Sequence, residues 1–195
     1  MDKLLTTLFV LIITLVAAGC GVNPGTSGDR GIPNLPRPIA GERALVTTAG
    51  QGLDGLIVAK YATKLNIKNY YRHRAEPVDL QDVNSLIITL GFSPTGLEAA
   101  YMDLAKEKQR LKELVGAAEK AKMPIILIHL GGMERRSPLN DETTRELAEH
   151  TSYLVVVKES NQDGFFTGLA REKHLPFTEV SSLEGIKVPL NSAFR

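Results

Sequence analysis

A histidine, two glycines and two arginines follow an apolar run in the stretch IILIHLGGMERRSP, residues 125–138. Histidine titrates near neutral pH, so His129 could serve as a hydrogen-bond donor or a general base, and Glu134 could also act as a base. Arg135 and Arg136 carry planar guanidinium groups that bind carboxylate or phosphate through paired hydrogen bonds. These residue types predict either the binding of an anion or base catalysis.

Gly131 and Gly132 separate the histidine from the charged residues. Glycine lets the backbone turn sharply and lets a ligand approach it closely, so both are predicted to line a ligand site. Two other interpretations remain open. His129 could be a core histidine bonded to nearby backbone, and the arginines could lie in a solvated loop where Glu134 pairs with one of them.

No metal site is predicted from the four histidines, which stand at positions 73, 129, 150 and 174. Their spacing contains neither H-x-x-x-H nor H-E-x-x-H, the patterns that place two zinc ligands on one helix face. A serine nucleophile is also disfavoured. In GFSPTG the second glycine comes one residue too late for the G-x-S-x-G turn, so Ser93 is predicted to cap a helix or to donate to a ligand.

Three other segments place glycine and polar side chains directly after an apolar run: TTAGQGLDG (47–55), GFSPTG (91–96) and KESNQDG (158–164). The first joins a strand to a helix, where free N–H groups and the helix dipole favour an anion. It has neither the P-loop nor the G-x-G-x-x-G pattern, and it could equally be a plain turn. The ligand-binding residues predicted in these segments are Thr47, Thr48, Gln51, Ser93, Thr95 and Asn161.

The elements that hold these segments follow from apolar runs that alternate with amphipathic stretches. Strands are predicted at residues 44–48, 70–74, 86–90, 124–130, 153–157 and 177–180. Such alternation predicts βαβ units and a parallel sheet covered on both faces. The polar second and sixth runs belong at the edges, whereas the order 3-2-1-4-5-6 would put the apolar third run there. We therefore predict the order 2-1-3-4-5 with the sixth strand outside, in a single flavodoxin-like or Rossmann-like three-layer α/β domain.

Helix faces are predicted from the spacing of apolar residues. They comprise Leu53, Leu56, Ile57 and Tyr61 in the first helix and Tyr101, Leu104, Leu111 and Val115 in the second. A short helix is predicted to start near Asn140, a good N-cap residue. The many charges of residues 106–122 are predicted to form a solvated helix face.

In open α/β sheets, ligands bind beyond the carboxyl ends of the strands, at the switch point between strands one and three. All four glycine-bearing segments are predicted to lie there, so this edge is the predicted site. No cofactor is predicted, because the chain lacks a strong phosphate loop and only 6% of its residues are aromatic. A net charge of +1 also argues against a nucleic-acid partner.

The first twenty residues, MDKLLTTLFVLIITLVAAGC, are typical of a secretory signal. Their apolar run is too short for a comfortable membrane span, which needs about 20 apolar residues. The ending AAGC resembles the bacterial lipobox, which predicts a signal peptide over residues 1–19 and lipidation of Cys20; an ordinary signal or anchor with an incidental cysteine is the alternative. Residues 20–42 are rich in proline and glycine and predict a flexible tether, and residues 43–195 form the predicted domain. The protein is thus predicted to be exported and anchored to a bacterial membrane by its lipid.

Three stretches of the domain are similar to a known family: ALVTTAGQGLDGLIVAK, PIILIHLGG with the two arginines that follow, and NQDGFFTGLA. They resemble an uncharacterised family of bacterial exported or lipidated proteins, classed as a domain of unknown function. The resemblance covers most of residues 44–180 and implies no particular reaction.

Three classes of function are compatible with these patterns. We expect a lipid-anchored protein that binds a small anionic or zwitterionic solute at the predicted site. The enzyme alternative is an envelope hydrolase or transferase that uses His129 or Glu134 as a general base. The third class is a scaffold that binds another envelope protein.

Overall fold

The computed structural model of the protein describes residues 34–195. The predicted signal peptide, Cys20 and most of the predicted tether lie outside the described residues. Just before the first strand, the N–H groups of Ile39 and Ala40 both donate to the carbonyl oxygen of Ala193 at 2.9 Å. The chain is therefore already held against the C-terminal helix when it enters the sheet.

The described chain contains six strands and six α-helices. The strands are β1 (Ala44–Ala49), β2 (Asn69–Tyr71), β3 (Ser85–Leu90), β4 (Ile125–His129), β5 (Tyr153–Val157) and β6 (Phe177–Val180). The helices are α1 (Asp54–Lys64), α2 (Pro94–Ala99), α3 (Leu104–Lys120), α4 (Pro138–Ala148), α5 (Phe165–Glu172) and α6 (Lys187–Phe194). Short 3-10 turns lie at Pro77–Leu80, Met133–Arg135, Lys158–Ser160 and Glu184–Ile186. The first of these turns joins β2 to β3, and two helices lie between β3 and β4.

All neighbouring strands are parallel, in the order β2-β1-β3-β4-β5-β6. This confirms the predicted strand order and fold class. Every residue of β1, β3, β4 and β5 is buried, as continuous apolar runs in central parallel strands require. The second strand ends at Tyr71, earlier than predicted, and the Arg72 that follows it is exposed.

Helices cover both faces of the sheet. On one face, α1 and α6 enclose a cluster that includes Val58, Ile126 and Leu190. On the other face, α3, α4 and α5 enclose a second cluster, to which Leu114 and Phe166 belong. Among residues 34–195, no helix is long and apolar enough to span a membrane.

The predicted apolar face of the first helix is correct for Ile57 and Tyr61, which pack against the core, and wrong for the two leucines. Leu53 is 74% exposed because it precedes the helix, and Leu56 is also exposed. The helix also packs through Val58 and Ala62, whose small side chains let it lie close to the sheet.

The second predicted face is correct only in its later part. Leu111 and Val115 are buried, whereas Tyr101 is 90% exposed. Tyr101 precedes the helix and has φ of 54°, and the helix is capped by Asp103. The helix predicted to start near Asn140 begins earlier, at Pro138, because Ser137 caps it by accepting from the Asn140 N–H at 3.2 Å.

Candidate functional site

The loops after β1 and β3 pack backbone against backbone at the switch point. The Gly52 N–H donates to the Gly91 carbonyl at 3.1 Å, and the Ser93 N–H donates to the Gly50 carbonyl at 2.7 Å. A Cβ atom at Gly52 would lie 2.7 Å from the Gly91 oxygen, so no larger residue fits there without a shift of the backbone. The absence of a side chain at Gly52 thus lets the two loops approach each other closely.

A carboxylate of the protein itself accepts hydrogen bonds from the backbone of Gly50 and the side chain of Gln51 in the β1–α1 loop. Glu107 on α3 accepts from the Gly50 N–H at 2.8 Å through Oε1 and from Gln51 Nε2 at 2.9 Å through Oε2. Gln51 has φ of 59°, a conformation that this contact helps to hold. Its Oε1 atom is buried and has no hydrogen-bond partner among the described residues.

Arg110 balances the charge of Glu107 inside the protein. Its Nε and Nη2 atoms donate to the carboxylate at 2.9 and 2.7 Å, and the guanidinium also donates to the carbonyls of Thr48 and Ala75. Both charged side chains are buried, so the prediction of a wholly solvated charged face on this helix is wrong. Burial alone would raise the pKa of Glu107, but hydrogen bonds and charge from Arg110, together with the Gly50 and Gln51 donors, bring that pKa below its ordinary value.

The two threonines of β1 contact the chain that leaves β2. The hydroxyls of Thr47 and Thr48 donate to the His73 carbonyl at 3.3 and 3.4 Å, and the Ala75 N–H donates to Thr47 Oγ1. Both threonines are buried. Their hydroxyls fix the segment beyond β2 against the edge of the sheet.

Ser93 and Thr95 lie at the start of α2. Ser93 Oγ accepts from the Gly96 N–H at 3.0 Å, which is the predicted capping role. Thr95 is exposed, and its hydroxyl lies 3.3 Å from that of Ser93.

Asn161 organises the loop after β5. Its Oδ1 atom accepts from the Phe166 N–H at 2.9 Å, and its Nδ2 atom donates to Thr167 and to Glu179. The side chain is buried and bonded at both ends of its amide, so it ties the start of α5 to β6.

The neighbouring arginines of the β4–α4 loop have different environments. The Arg136 side chain is 6% exposed and donates to both oxygens of Asp141, to Asp163 at 2.7 Å and to the Ser160 carbonyl. Its guanidinium lies over the Phe165 ring, with the Cζ atom 4.3 Å from the ring centre. Hydrogen bonding to Asp141 raises the pKa of Arg136 above its ordinary value. Its guanidinium is therefore committed to holding the β4, β5 and α4 loops together.

Arg135 is 44% exposed, and its Nη2 atom lies 3.4 Å from Asp54 Oδ1. Among residues 34–195, this is the only hydrogen bond that its guanidinium makes. Its aliphatic stem crosses Gly131, where a Cβ atom would come within 2.5 Å of Arg135 Cβ. Gly131 therefore lets Arg135 lie across the loop toward Asp54.

Asp54, in the first turn of α1, is the acidic member of this group. Its Oδ2 atom is buried without a hydrogen-bond partner among the described residues, beside Gly91 at the end of β3. Burial raises the pKa of Asp54, and the charge of Arg135 opposes that rise only in part. Burial, helped by the negative charge of Asp54, also raises the pKa of Tyr71.

The two predicted general bases differ in burial, since His129 lies in the core and Glu134 lies at the surface. His129 is 1% exposed and 5.2 Å from the Phe166 ring centre, and neither ring nitrogen has a hydrogen-bond partner among the described residues. Burial, with a further contribution from the positive charge of Arg136, lowers the pKa of His129 to about 4, and the nearby Gly131 backbone, outside hydrogen-bond geometry, opposes that fall only in part. Glu134 is exposed, and its Oε1 atom accepts from the Gly132 N–H at 3.2 Å.

Sequence reasoning missed the residues that join the loops. Asn140 accepts from the Phe92 N–H at 3.0 Å and donates to the Arg135 carbonyl at 2.7 Å, so it links the loops after β3 and β4. Asp54 is visible in the sequence as an acidic residue near the start of a helix, where it could complement the helix dipole or, if it pointed inward, repel an anion. In the described part of the chain, no group of three histidine, cysteine, aspartate or glutamate side chains could hold a metal ion.

The structure therefore brings Asp54, Gly91 and Arg135 together at the carboxyl edge of a flavodoxin-like α/β sheet. Residues 41–194 match the family described as Domain of unknown function (DUF6305), and the chain belongs to that family. No curated protein matches the chain.

Proposed function

We propose that this protein binds a small anionic or zwitterionic solute at the carboxyl edge of its sheet, with Arg135 receiving the acidic group of the ligand. The observation that carries the proposal is the contrast between two adjacent arginines. Arg136 is saturated by protein acceptors, whereas Arg135 is half exposed and holds one contact of 3.4 Å. A guanidinium with unused donors binds a carboxylate or phosphate through paired hydrogen bonds.

Rigid surroundings support a binding role for this edge. Glu107 fixes the loop after β1, and Asn140 fixes the Arg135 backbone against the loop after β3. A ligand that enters such a site does not have to order the loops first, so less free energy is lost on binding. The other residues predicted to bind the ligand make the contacts within the protein that are described above. Their role in ligand binding stays a prediction.

The experiment is native mass spectrometry on freshly purified protein and on Arg135→Ala. We expect the wild type to retain a small acid, or to take one up from a mixture of amino and carboxylic acids, and Arg135→Ala to lose it. Arg72→Ala is the matched control, because Arg72 is also an exposed arginine that contacts an aspartate, Asp79, at 3.9 Å. Equal retention by Arg135→Ala and the wild type would overturn the proposal, as would a wild type that binds none of the acids.

We also propose that lipidation of Cys20 anchors the protein to a bacterial membrane after export. The support is the AAGC ending of the apolar N-terminal run. Cys20→Ala should move the protein from the membrane fraction to a soluble or unprocessed form, since acyl chains supply the membrane affinity. Unchanged fractionation would argue against the anchor.

A further inference from the structure

We infer, resting on the proposed function, that the ligand is a zwitterion whose ammonium group lies next to its acid group, with Asp54 accepting from the ammonium and Arg135 donating to the acid. The inference specifies the class of solute that this edge selects. It depends on the geometry of two oppositely charged side chains from different loops.

The first step is the unsatisfied acceptor. Asp54 is 7% exposed, and its Oδ2 atom has no hydrogen-bond partner among residues 34–195. Buried polar atoms are nearly always bonded, so an unpaired carboxylate oxygen indicates a missing donor. Within the described part of the chain, the only bond to this carboxylate is the long contact from Arg135 to Oδ1.

The second step is the nearby donor. Arg135 lies 3.4 Å from Asp54 Oδ1 and is 44% exposed, so little holds its guanidinium in place when a ligand competes for both groups. A molecule with an ammonium and a carboxylate on the same carbon offers one donor and one acceptor group at a comparable separation. Such a ligand replaces one weak contact with two charge-assisted interactions.

The third step is discrimination. An acid without an amine would engage Arg135 but leave Asp54 unpaired, and it would bring a second negative charge beside a buried carboxylate. Sites built to bond a polar group reject analogues that lack it, because the buried partner is then left without a bond. Burial already disfavours the charged form of Asp54, as the raised pKa of this carboxyl group shows. We therefore expect the amine to improve affinity by about tenfold or more.

The test uses calorimetric titration of the full chain with three matched probe sets. Alanine, leucine and glutamate are each compared with the 2-hydroxy acid and the simple acid on the same carbon skeleton. At least one amino acid should bind, and its simple-acid analogue should bind about tenfold or more weakly. Asp54→Asn should lower the affinity for the amino acid. It should leave the affinity for the simple acid unchanged or raise it, because the negative charge that repels the acid is gone.

Asp54→Asn is expected to affect the binding of the two probes in different ways. This result distinguishes a direct contact with the ammonium group from a distorted site, because distortion would weaken the binding of both probes. If simple acids bind as tightly as amino acids and Arg135→Ala abolishes that binding, this inference is overturned and the proposed function stands. No binding by any probe set, or binding unaffected by Arg135→Ala, would overturn both. Circular dichroism of each variant checks that it is folded.

Discussion

The carboxylate of Glu107 lies 2.8 Å from the backbone nitrogen of Gly50, 57 residues away in the chain. In many α/β proteins the loop after the first strand binds a phosphate through its N–H groups. Here Glu107 takes that position and brings its own counter-ion, Arg110. A phosphate at this loop would have to displace a buried, paired carboxylate, which is why the proposed ligand site lies at Arg135 instead.

Glu107→Gln is expected to destabilise the protein by about 3–5 kcal/mol, because it leaves the buried Arg110 without an opposite charge. The measurement is the free energy of unfolding from urea denaturation near neutral pH. Glu113→Gln, at an exposed position on the same helix, is the control and should change that free energy by less than about 0.5 kcal/mol. Similar values for the two variants would mean that the pair does not hold the loop.

The strand order could be predicted because polarity along each strand reports its position in the sheet. Residues 177–180 alternate in burial at one edge, whereas residues 153–157 are fully buried. The Glu107–Arg110 pair could not be predicted in this way. Two opposite charges three residues apart on a helix usually mark a solvated face, and only the folded loop shows that the Gly50 N–H donates to Glu107.

The two arginines show the same limit at the candidate site. Arg135 and Arg136 are equivalent in sequence, and both were predicted to bind the ligand. The 3-10 turn at Met133–Arg135 ends between them, and an extended residue follows, so their side chains reach different partners. Burial of one and exposure of the other depend on loops that lie far apart in the chain.

Arg136→Lys is expected to lower the unliganded free energy of unfolding by about 1.5–3 kcal/mol. A lysine keeps the charge but cannot reproduce the two-pronged contact with Asp141 while also reaching Asp163. Arg135→Lys, the matched change at the exposed neighbour, should shift the same quantity by less than about 0.5 kcal/mol. If both variants lose equal stability, the two arginines share a structural role and the assignment of Arg135 to the ligand fails.

Leu127→Ala should lower the free energy of unfolding by about 2–5 kcal/mol, because Leu127 is fully buried in a central strand and its loss leaves a cavity. Arg72→Ala, beyond the edge strand, should change it by less than about 0.5 kcal/mol. Urea denaturation of the two variants under one set of conditions makes the comparison. A cost at Arg72 as large as that at Leu127 would contradict the positions of these residues in the sheet.

His129 is expected to make the protein less stable as the pH falls from 6.5 to about 4. Its pKa drops from an ordinary 6.5 to about 4 in the folded protein, so within this window the unfolded chain binds a proton that the native state does not. By linkage, the contribution of His129 to the free energy of unfolding is fully present above pH 6.5. It declines by about 3 kcal/mol across the window and changes no further below it.

His129→Leu should remove this component, so its free energy of unfolding should fall less than that of the wild type between pH 7 and 4. At pH 7 the variant should be at least as stable, because leucine fills the site without two unpartnered nitrogens. The contribution of Asp54, whose pKa burial raises, is common to both proteins and cancels in the difference. His73→Leu, at an exposed position, is the control for replacing a histidine with leucine. A His129→Leu profile parallel to that of the wild type would show that His129 is protonated in the folded protein or bonded to a partner.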